Sequence, residues 1–509
     1  MLASVPSCGL AGIDGFAVEV EVNLSNGMVA FEIVGLPDAA VKESRERVRT
    51  ALKNSGFFFP GQRLIVNLAP ADQKKEGPAF DLPIALGILC CMGSISQAAL
   101  QSMCVFGELS LNGAVRPVRG ALPMVISAME RGVRRFLIPA ENAAEVRCIE
   151  GAEIYPVTTL IQAARHLAFK MPIEPMQPVA YRTLVSHRKF SEDFCHVKGQ
   201  SKAKRALEIA AAGGHNVLMI GPPGSGKTLM ARCLPTILPD MTFEEALEAT
   251  RIHSVAGTVP PSGLLTERPF RSPHHTASHA SLVGGGPNAM PGEISKAHNG
   301  VLFLDELPEY HRDVLEALRQ PMEDGFVTVT RVNATSTYPS RFMLVCSMNP
   351  CPCGNLGSRT KPCRCTPNEI RRYLNRVSGP LLDRIDMHIE VESIPAERLA
   401  DAELSESSDA IRARVEAARA VQRQRYGDAG IRCNAELSAR TLPKFCGLTP
   451  SARELLNAST ERMKLSNRAY ARVLKVARTI CDLDGVDEIG DAQVAEAVQY
   501  RALDRKYWG

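Results

Sequence analysis

Residues 216–228 read Asn-Val-Leu-Met-Ile-Gly-Pro-Pro-Gly-Ser-Gly-Lys-Thr, an apolar run that leads directly into a glycine-rich segment. The pattern predicts a buried strand, a phosphate-binding loop and a helix over residues 229–234. The glycines let successive backbone N–H groups approach phosphate oxygens, and the helix N-terminus adds partial positive charge. The loop itself is formed by Gly221, Pro222, Pro223, Gly224, Ser225, Gly226, Lys227 and Thr228. We expect it to bind ATP, with Lys227 at the β- and γ-phosphates and Thr228 on Mg²⁺.

The bulk composition is that of a globular protein of several domains. The 509 residues suggest about three domains, and 45% apolar with 22% charged residues excludes a disordered chain. A net charge of +4 is too small to indicate a polyanionic partner without local clustering. No run approaches the roughly 18 apolar residues of a membrane span, and the first residues lack a basic signal region. We therefore expect a cytoplasmic protein with no membrane partner.

The order of segments predicts an α/β protein with a helical end. Residues 1–170 alternate strand-like and helix-like segments, for example a strand at 17–23, a helix at 39–54 and a strand at 64–68. Three prolines within 171–178 indicate an extended linker over 171–192. Residues 193–395 form the α/β block with the phosphate loop, and residues 396–509 are helical and rich in Ala, Arg and Leu.

Two further strands of this block end in polar residues. Residues 300–306 read Gly-Val-Leu-Phe-Leu-Asp-Glu, so we expect Asp305 to hold Mg²⁺ and Glu306 to polarise the attacking water. Taken alone, such a run is a common strand end followed by a turn, but its spacing from the phosphate loop favours the catalytic interpretation. The next apolar run ends at Asn349, which either senses the γ-phosphate and orients water or is an ordinary turn residue.

Residues 378–386 read Ser-Gly-Pro-Leu-Leu-Asp-Arg-Ile-Asp. With the preceding motifs they resemble the AAA+ ATPases, and within them the magnesium-chelatase-like branch. The resemblance implies that Arg384 is an arginine finger that completes the ATP site of a neighbouring subunit, which requires a ring. A surface salt bridge to Asp383 or Asp386 is the alternative. The resemblance also implies a second sensor, Arg468, on a helix capped by a serine, with Arg472 as the rival; both could instead belong to a solvated basic face.

Two inserts are expected to face the channel of such a ring. The first includes residues 268–278, with tandem histidines at 274 and 275 that, as adjacent residues, are poorly placed to share a metal ion. Its candidates for contact with a polymer are Arg271, His274 and Lys296. Residues 326–338 alternate β-formers and predict a hairpin that turns at 331–333, with Arg331 near its tip. Hydroxyls and one arginine suit phosphate contacts better than base readout. The alternative is a plain sheet edge.

Four cysteines form two close pairs, Cys351 with Cys353 and Cys363 with Cys365. Four thiolates at this spacing predict a tetrahedral structural Zn²⁺ site, because disulfides are unlikely in a reducing compartment. Arginines and lysines surround the pairs, so the module either contacts nucleic acid or braces the loop beside Arg384.

The N-terminal region resembles the Lon protease domain in residues 66–83 and 107–120. The nucleophilic serine of active members is replaced by Ala79, and Leu122 and Pro123 stand where the partner lysine is expected. Neither substitute supports a serine–lysine dyad. We therefore expect a collar or binding module and not an active protease.

The combination of Lon-like domain, AAA+ core and cysteine cluster resembles the YifB/ComM family over nearly the whole chain. The resemblance implies an ATP- and Mg²⁺-dependent homo-oligomer, a hexamer, which acts as a DNA helicase and branch-migration motor in recombination during natural transformation, with single-stranded or branched DNA in its channel. The alternative is a magnesium-chelatase-type ATPase that remodels a partner protein.

Overall fold

The computed structural model describes residues 1–185, 190–286, 288–331, 334–357, 361–394 and 405–508. Part of the predicted linker, residues 186–189, and the predicted boundary at 395/396 lie outside the described residues. Within them the chain is a mixed α/β protein with a C-terminal helical region, as predicted.

The N-terminal domain contains two sheets. The larger has the order β1-β2-β4-β3, in which β3 runs parallel to β4 and the other neighbours are antiparallel. The smaller sheet, β5-β8-β9, is parallel, and β6 and β7 form a short ribbon. Helix α2 is buried along nearly its whole length against β1 and β2. The strands of this domain are β1 (Leu2–Ala11), β2 (Asp14–Ser25), β3 (Ala30–Val34), β4 (Arg63–Ala69), β5 (Cys104–Val105), β6 (Glu108–Leu109), β7 (Val115–Arg116), β8 (Arg135–Pro139) and β9 (Glu153–Val157). Its helices are α1 (Ala39–Asn54), α2 (Asp81–Cys91), α3 (Gln97–Gln101), α4 (Ala121–Glu130), α5 (Ala143–Val146) and α6 (Leu160–Leu167), followed by α7 (Tyr181–Val185) in the linker.

The central α/β block, called the core below, is built on a parallel five-stranded sheet with the order β11-β14-β17-β10-β18. The four longer strands are buried almost throughout, which explains their continuous apolar runs. The strands of the core are β10 (Val217–Ile220), β11 (Phe270–Arg271), β12 (Gly284–Gly285), β13 (Met290–Pro291), β14 (Val301–Leu304), β15 (Phe326–Arg331), β16 (Ala334–Pro339), β17 (Met343–Met348) and β18 (Met387–Glu390). Its helices are α8 (Ser201–Gly213), α9 (Lys227–Ile237), α10 (Phe243–Ala256), α11 (His279–Val283), α12 (Glu293–Lys296), α13 (Arg312–Glu316), α14 (Arg319–Asp324), α15 (Pro367–Leu374) and α16 (Gly379–Leu382).

The C-terminal lid packs on the core through α8 and β18. Ser407, Thr449 and Ser466 cap its longer helices, each side-chain oxygen accepting a backbone N–H from the first turn. The predicted serine cap before Arg468 is thereby confirmed. The lid helices are α17 (Ser408–Tyr426), α18 (Leu442–Phe445), α19 (Pro450–Met463), α20 (Asn467–Asp484), α21 (Asp491–Gln499) and α22 (Ala502–Trp508).

The N-terminal domain contacts the core directly through helices α4 and α10. The Gly120 N–H donates to the Ser254 carbonyl over 3.0 Å, and Arg251 pairs with Asp14 over 2.5 Å. In the linker, the Tyr181 hydroxyl donates to the Met241 carbonyl over 3.0 Å. None of the described helices combines the length and the apolar character needed to cross a membrane.

Candidate functional site

The phosphate loop leaves the central strand β10 at the carboxyl edge of the sheet. Gly224 and Gly226 have φ angles of +74° and +90°, which L side chains rarely adopt. A Cβ on Gly221 would lie 2.2 Å from the Val391 carbonyl oxygen. Gly224 and Gly226 are therefore required for their backbone conformation. Gly221 is required because its backbone lies too close to the Val391 carbonyl for a side chain.

Lys227 begins helix α9 and is buried. Its Nζ donates to the carbonyls of Gly221 over 2.8 Å and Pro222 over 2.9 Å, and lies 3.4 Å from Asn349 Oδ1. Burial lowers the pKa of Lys227 to about 8, against the opposing effect of the nearby Asp305 and Glu306 carboxylates. The ammonium group is thus held by carbonyls of the glycine-rich loop itself.

Asp305 follows β14 and joins two neighbouring segments. Thr228 Oγ1 donates to its Oδ2 over 2.9 Å, and the Ser347 hydroxyl donates to Oδ1. The pairing of Thr228 with Asp305 brings together the two residues predicted to hold Mg²⁺, and hydroxyl and carboxylate oxygens suit that ion. Ser347 was missed by the sequence analysis, although it lies two residues before Asn349 on a strand and so shares its face.

Glu306 has a left-handed backbone, with φ +54° and ψ +48°. Its carboxylate is about half exposed, and Oε2 lies 3.6 Å from His275 Nδ1. In the sequence, His275 stands out only as one of the tandem histidines, which suggests a metal ligand and not a partner for Glu306. Its position beside Glu306 arises because β11 and β14 are parallel neighbours, so that the segments after both strands meet at one edge.

A cavity of about 400 Å³ lies between these groups. Its lining consists of residues 223–229, Asp305, Glu306, Ser347, Met348 and Asn349. The described lining residues all come from the core, and the volume is in the range of small-ligand sites. The structure therefore brings Lys227, Thr228, Asp305, Glu306 and Asn349 to one place.

Arg384 lies in a different cavity, of about 600 Å³, between the core and the lid. Its guanidinium pairs with Glu323 and donates to the Pro380 carbonyl over 2.7 Å. The salt-bridge partner is thus neither Asp383 nor Asp386, the two candidates considered from the sequence.

Arg472 lines the same cavity and pairs with the buried Asp386. Burial acts to raise the pKa of Asp386, but the Arg472 charge and His215 override it and hold that pKa well below its usual range. Arg468, the other sensor candidate, is exposed in the first turn of α20, and the structure does not bring it to the cavity that contains Lys227.

The candidates for polymer contact differ in their surroundings. Arg271 donates to Glu293 over 2.6 Å and Lys296 lies 3.2 Å from the same carboxylate, so both belong to one partly buried ion-pair cluster. His274 is exposed, with Nδ1 2.9 Å from Thr276 Oγ1. The Arg331 backbone ends β15, but its side chain and residues 332–333 lie outside the described residues.

The predicted hairpin is present as β15 and β16. One face is buried through Val327, Val329, Ser336 and Tyr338, and the Tyr338 hydroxyl donates to the Ala289 carbonyl over 2.9 Å. This bond ties the hairpin to the β12–β13 ribbon of the first insert. The opposite face exposes four threonines, Thr328, Thr330, Thr335 and Thr337.

The four predicted metal ligands lie together. Cys351 Sγ is 3.4 Å from Cys353 Sγ and 3.6 Å from Cys363 Sγ, and all four sulfurs, with Cys365, lie within 4.8 Å of one another. Four Zn–S bonds of about 2.3 Å in a tetrahedron require sulfur separations of about 3.8 Å. The donor set therefore fits Zn²⁺.

The two positions of the missing protease dyad are also brought together. Ala79 and Leu122 belong to one apolar cluster, and Pro123 is buried in α4. Next to them the buried Asp81 pairs with Arg47 over 2.7 Å. Alanine, leucine and proline side chains offer no nucleophile and no base at this site.

Three family models match the chain. "Magnesium chelatase, subunit ChlI" covers residues 193–399, "Subunit ChlI of Mg-chelatase" covers 20–142, and "Magnesium chelatase, subunit ChlI C-terminal" covers 405–501. The N-terminal part is also similar to Lon protease 2 of Bacillus subtilis, with 27% identity over 177 residues, 31% of this chain and 32% of that protein.

Full-length relatives include the uncharacterized protein YifB of Salmonella typhimurium, with 43% identity over 505 residues, and the competence protein ComM of Haemophilus influenzae, with 42% identity over 506 residues. Each alignment covers 99% of this chain and 98% of the relative. This family implies ATP and Mg²⁺ as its cofactors. The chain belongs to the YifB/ComM family of magnesium-chelatase-like AAA+ ATPases with an N-terminal Lon-protease-like domain.

Proposed function

We propose that this protein is a ring-forming DNA motor, a helicase that drives branch migration in homologous recombination during natural transformation. Two supports are the ATP site described above and full-length similarity to a relative named competence protein ComM. The observation that carries the DNA-binding part is the exposed threonine face of the β15–β16 hairpin, because hydroxyls contact phosphate oxygens without regard to sequence.

In this proposal each group of the ATP site has one task. Lys227 leaves the loop carbonyls to contact the β- and γ-phosphates, while Thr228 and Asp305 hold Mg²⁺, which neutralises developing phosphate charge. Glu306 polarises the attacking water, and Asn349 orients it near the γ-phosphate. Ser347 keeps the Asp305 carboxylate turned toward Thr228.

Hydrolysis is proposed to require a neighbouring subunit in a hexamer. Arg384 lies in the 600 Å³ cavity and not beside its own Lys227, which supports a role in trans. Its guanidinium must leave Glu323 and the Pro380 carbonyl before it reaches the ATP site of a neighbour. Arg468 is exposed and thereby open to a neighbouring subunit, so we keep it as the second sensor. Arg472 is already paired with Asp386 and serves to anchor the lid.

DNA is proposed to contact the channel-facing inserts. Besides the threonine face, the exposed His274 and the hairpin residue Arg331 are the preferred contacts. Arg271 and Lys296 share the Glu293 carboxylate, so each must exchange that partner for a phosphate before it binds DNA. The cysteine cluster is proposed to hold one structural Zn²⁺ per chain through Cys351, Cys353, Cys363 and Cys365.

The test is the ATPase rate at fixed salt with no polymer, with single-stranded DNA, with a four-way junction and with a denatured protein. Stimulation by DNA, followed by ATP-dependent movement of the junction, is the expected result. The three chelatase family matches favour a second candidate, an ATPase that remodels a partner protein. An ATPase rate that neither single-stranded DNA nor the four-way junction changes would overturn the motor and favour that second function.

A further inference from the structure

The cysteine cluster touches the phosphate loop. After strand β17 ends at Met348, the chain passes through Asn349 to Cys351, and the Gly354 N–H closes a tight turn by donating to the Cys351 carbonyl over 2.9 Å. A Cβ on Gly354 would lie only 2.5 Å from Pro223 Cδ and 2.8 Å from Pro223 Cγ. The turn that carries the first cysteine pair therefore packs its backbone against the loop that binds the phosphates.

The second cysteine pair lies directly before a capped helix. Cys363 and Cys365 precede helix α15, which begins with a reciprocal cap between Thr366 and Glu369. The same helix carries the buried Tyr373, which belongs to the same apolar cluster as Met348, the last residue of β17. A metal ion bound by all four thiols would join the Gly354 turn to this helix on one side of the nucleotide cavity.

We propose that metal bound by the four cysteines braces the phosphate loop, so that occupancy of the cluster sets the affinity for nucleotide. The proposal rests on the proposed ATP and zinc sites. Its physical basis is the conformational freedom of the loop, which has glycines at both 224 and 226 and loses that freedom when phosphate binds. A fixed turn against Pro223 removes part of this freedom before binding and thereby strengthens it.

A matched pair of glycines isolates the contact. Gly354 and Gly357 both have φ +76°, so alanine introduces the same backbone strain at each. They differ in their surroundings, since no atom of the described residues lies within 4 Å of a Cβ on Gly357. Gly354→Ala therefore displaces Pro223, whereas Gly357→Ala tests strain in the same loop without that contact.

The measurement is the dissociation constant for a fluorescent ADP analogue with zinc-loaded protein, with zinc content and the thermal midpoint recorded for each variant. Overpacking against Pro223 predicts roughly tenfold weaker binding for Gly354→Ala, which corresponds to about 1.4 kcal/mol. The dissociation constant of Gly357→Ala is expected to stay within twofold of the value for the unsubstituted chain. Both variants are expected to retain zinc. Equal affinities for the two variants would overturn the brace.

Removal of the metal tests the same contact from the other side. We expect roughly tenfold weaker nucleotide binding by metal-free protein, restored when zinc is returned. In metal-free protein the two alanine variants are expected to differ by less than twofold, because the turn no longer presses on Pro223. Unchanged nucleotide affinity after complete metal removal would refute the proposal. If Gly354→Ala fails to hold zinc, the comparison of metal-loaded with metal-free unsubstituted protein decides the question by itself.

These outcomes are separable from failure of the proposed motor. Nucleotide binding is measured without DNA. Lys227→Ala serves as the reference variant in which nucleotide binding is lost. Tight binding with no stimulation by DNA overturns the motor and leaves the brace standing. If DNA stimulates the ATPase but nucleotide affinity changes neither on zinc removal nor in Gly354→Ala, the motor stands and the brace is refuted.

Discussion

Glu306 occupies a left-handed turn between its strand and the cavity, where its carboxylate has only His275 as an ion-pair partner among the described residues. We predict that Glu306→Gln binds ATP normally but hydrolyses it about 10²–10⁴-fold more slowly, because an amide of the same shape cannot act as a base. Single-turnover hydrolysis and nucleotide affinity would be measured side by side. The matched control is Glu309→Gln, three residues further on, and a Glu306→Gln rate within tenfold of normal would refute the role.

The buried ammonium of Lys227 gives ATP binding a pH dependence. Its pKa of about 8 in the nucleotide-free chain lies below the ordinary lysine value, so its charge is present below pH 8 and lost above it. Bound phosphates favour the charged form, and affinity therefore falls as pH rises through 8. We expect roughly tenfold weaker binding at pH 9 than at pH 7. Lys227→Arg should flatten this slope, because guanidinium stays charged over the range; an equal slope in both proteins would contradict the assignment.

Residue positions within a motif could be predicted, whereas residues contributed by other segments could not. Lys227, Thr228, Asp305 and Asn349 each follow or end a strand with a strong apolar pattern, so parallel pairing brings them together. His275 follows a strand of only two residues, which leaves no periodicity to detect. Its contact with Glu306 depends on which strands are neighbours, and that is a property of the sheet.

At the scale of elements, an ion pair joins lid helix α20 to the residue that precedes strand β18. Asp386 pairs with Arg472 and accepts the Asn216 N–H over 2.9 Å. Asp386→Asn removes the charge from a buried carboxylate and leaves the partly buried arginine without its partner, so we predict a loss of about 3 kcal/mol in the free energy of unfolding. Asp383→Asn, in the same motif but without that pairing, should change it by less than about 0.5 kcal/mol. Urea unfolding of both variants provides the test, and equal midpoints would contradict the prediction.

Helices, strands and caps could be predicted from local sequence, whereas the packing of one element on another could not. Helix α1 and the β15–β16 hairpin follow from local periodicity, and the caps of the lid helices follow from single residues. The packing of α20 on the core could not be predicted, because Arg472 looks like part of a solvated basic row in the sequence. Only tertiary structure shows that Asp386, 86 residues earlier, is its partner.

For the whole molecule, the separation of Lys227 and Arg384 into different cavities predicts that active sites are shared between subunits. Arg384→Ala and Lys227→Ala should each abolish hydrolysis in homogeneous rings. In mixed rings, an Arg384→Ala subunit keeps its phosphate loop and can receive an intact finger from a Lys227→Ala neighbour. Random mixing in equal amounts restores about one quarter of the interfaces, since each must combine one intact loop with one intact finger.

The mixed rings are best made by co-expression with two different affinity tags, followed by purification on both, so that every ring contains both chains. Recovered ATPase activity of about one quarter of the normal rate is the expected result. The control is a ring that combines Arg384→Ala with the Lys227→Ala/Arg384→Ala double variant, in which no finger is available and no activity should return. Equal inactivity of both mixtures would show that Arg384 acts within its own chain, and hydrolysis would then need no neighbour. Recovery in the first mixture alone would instead explain why Arg384 and its own Lys227 line different cavities.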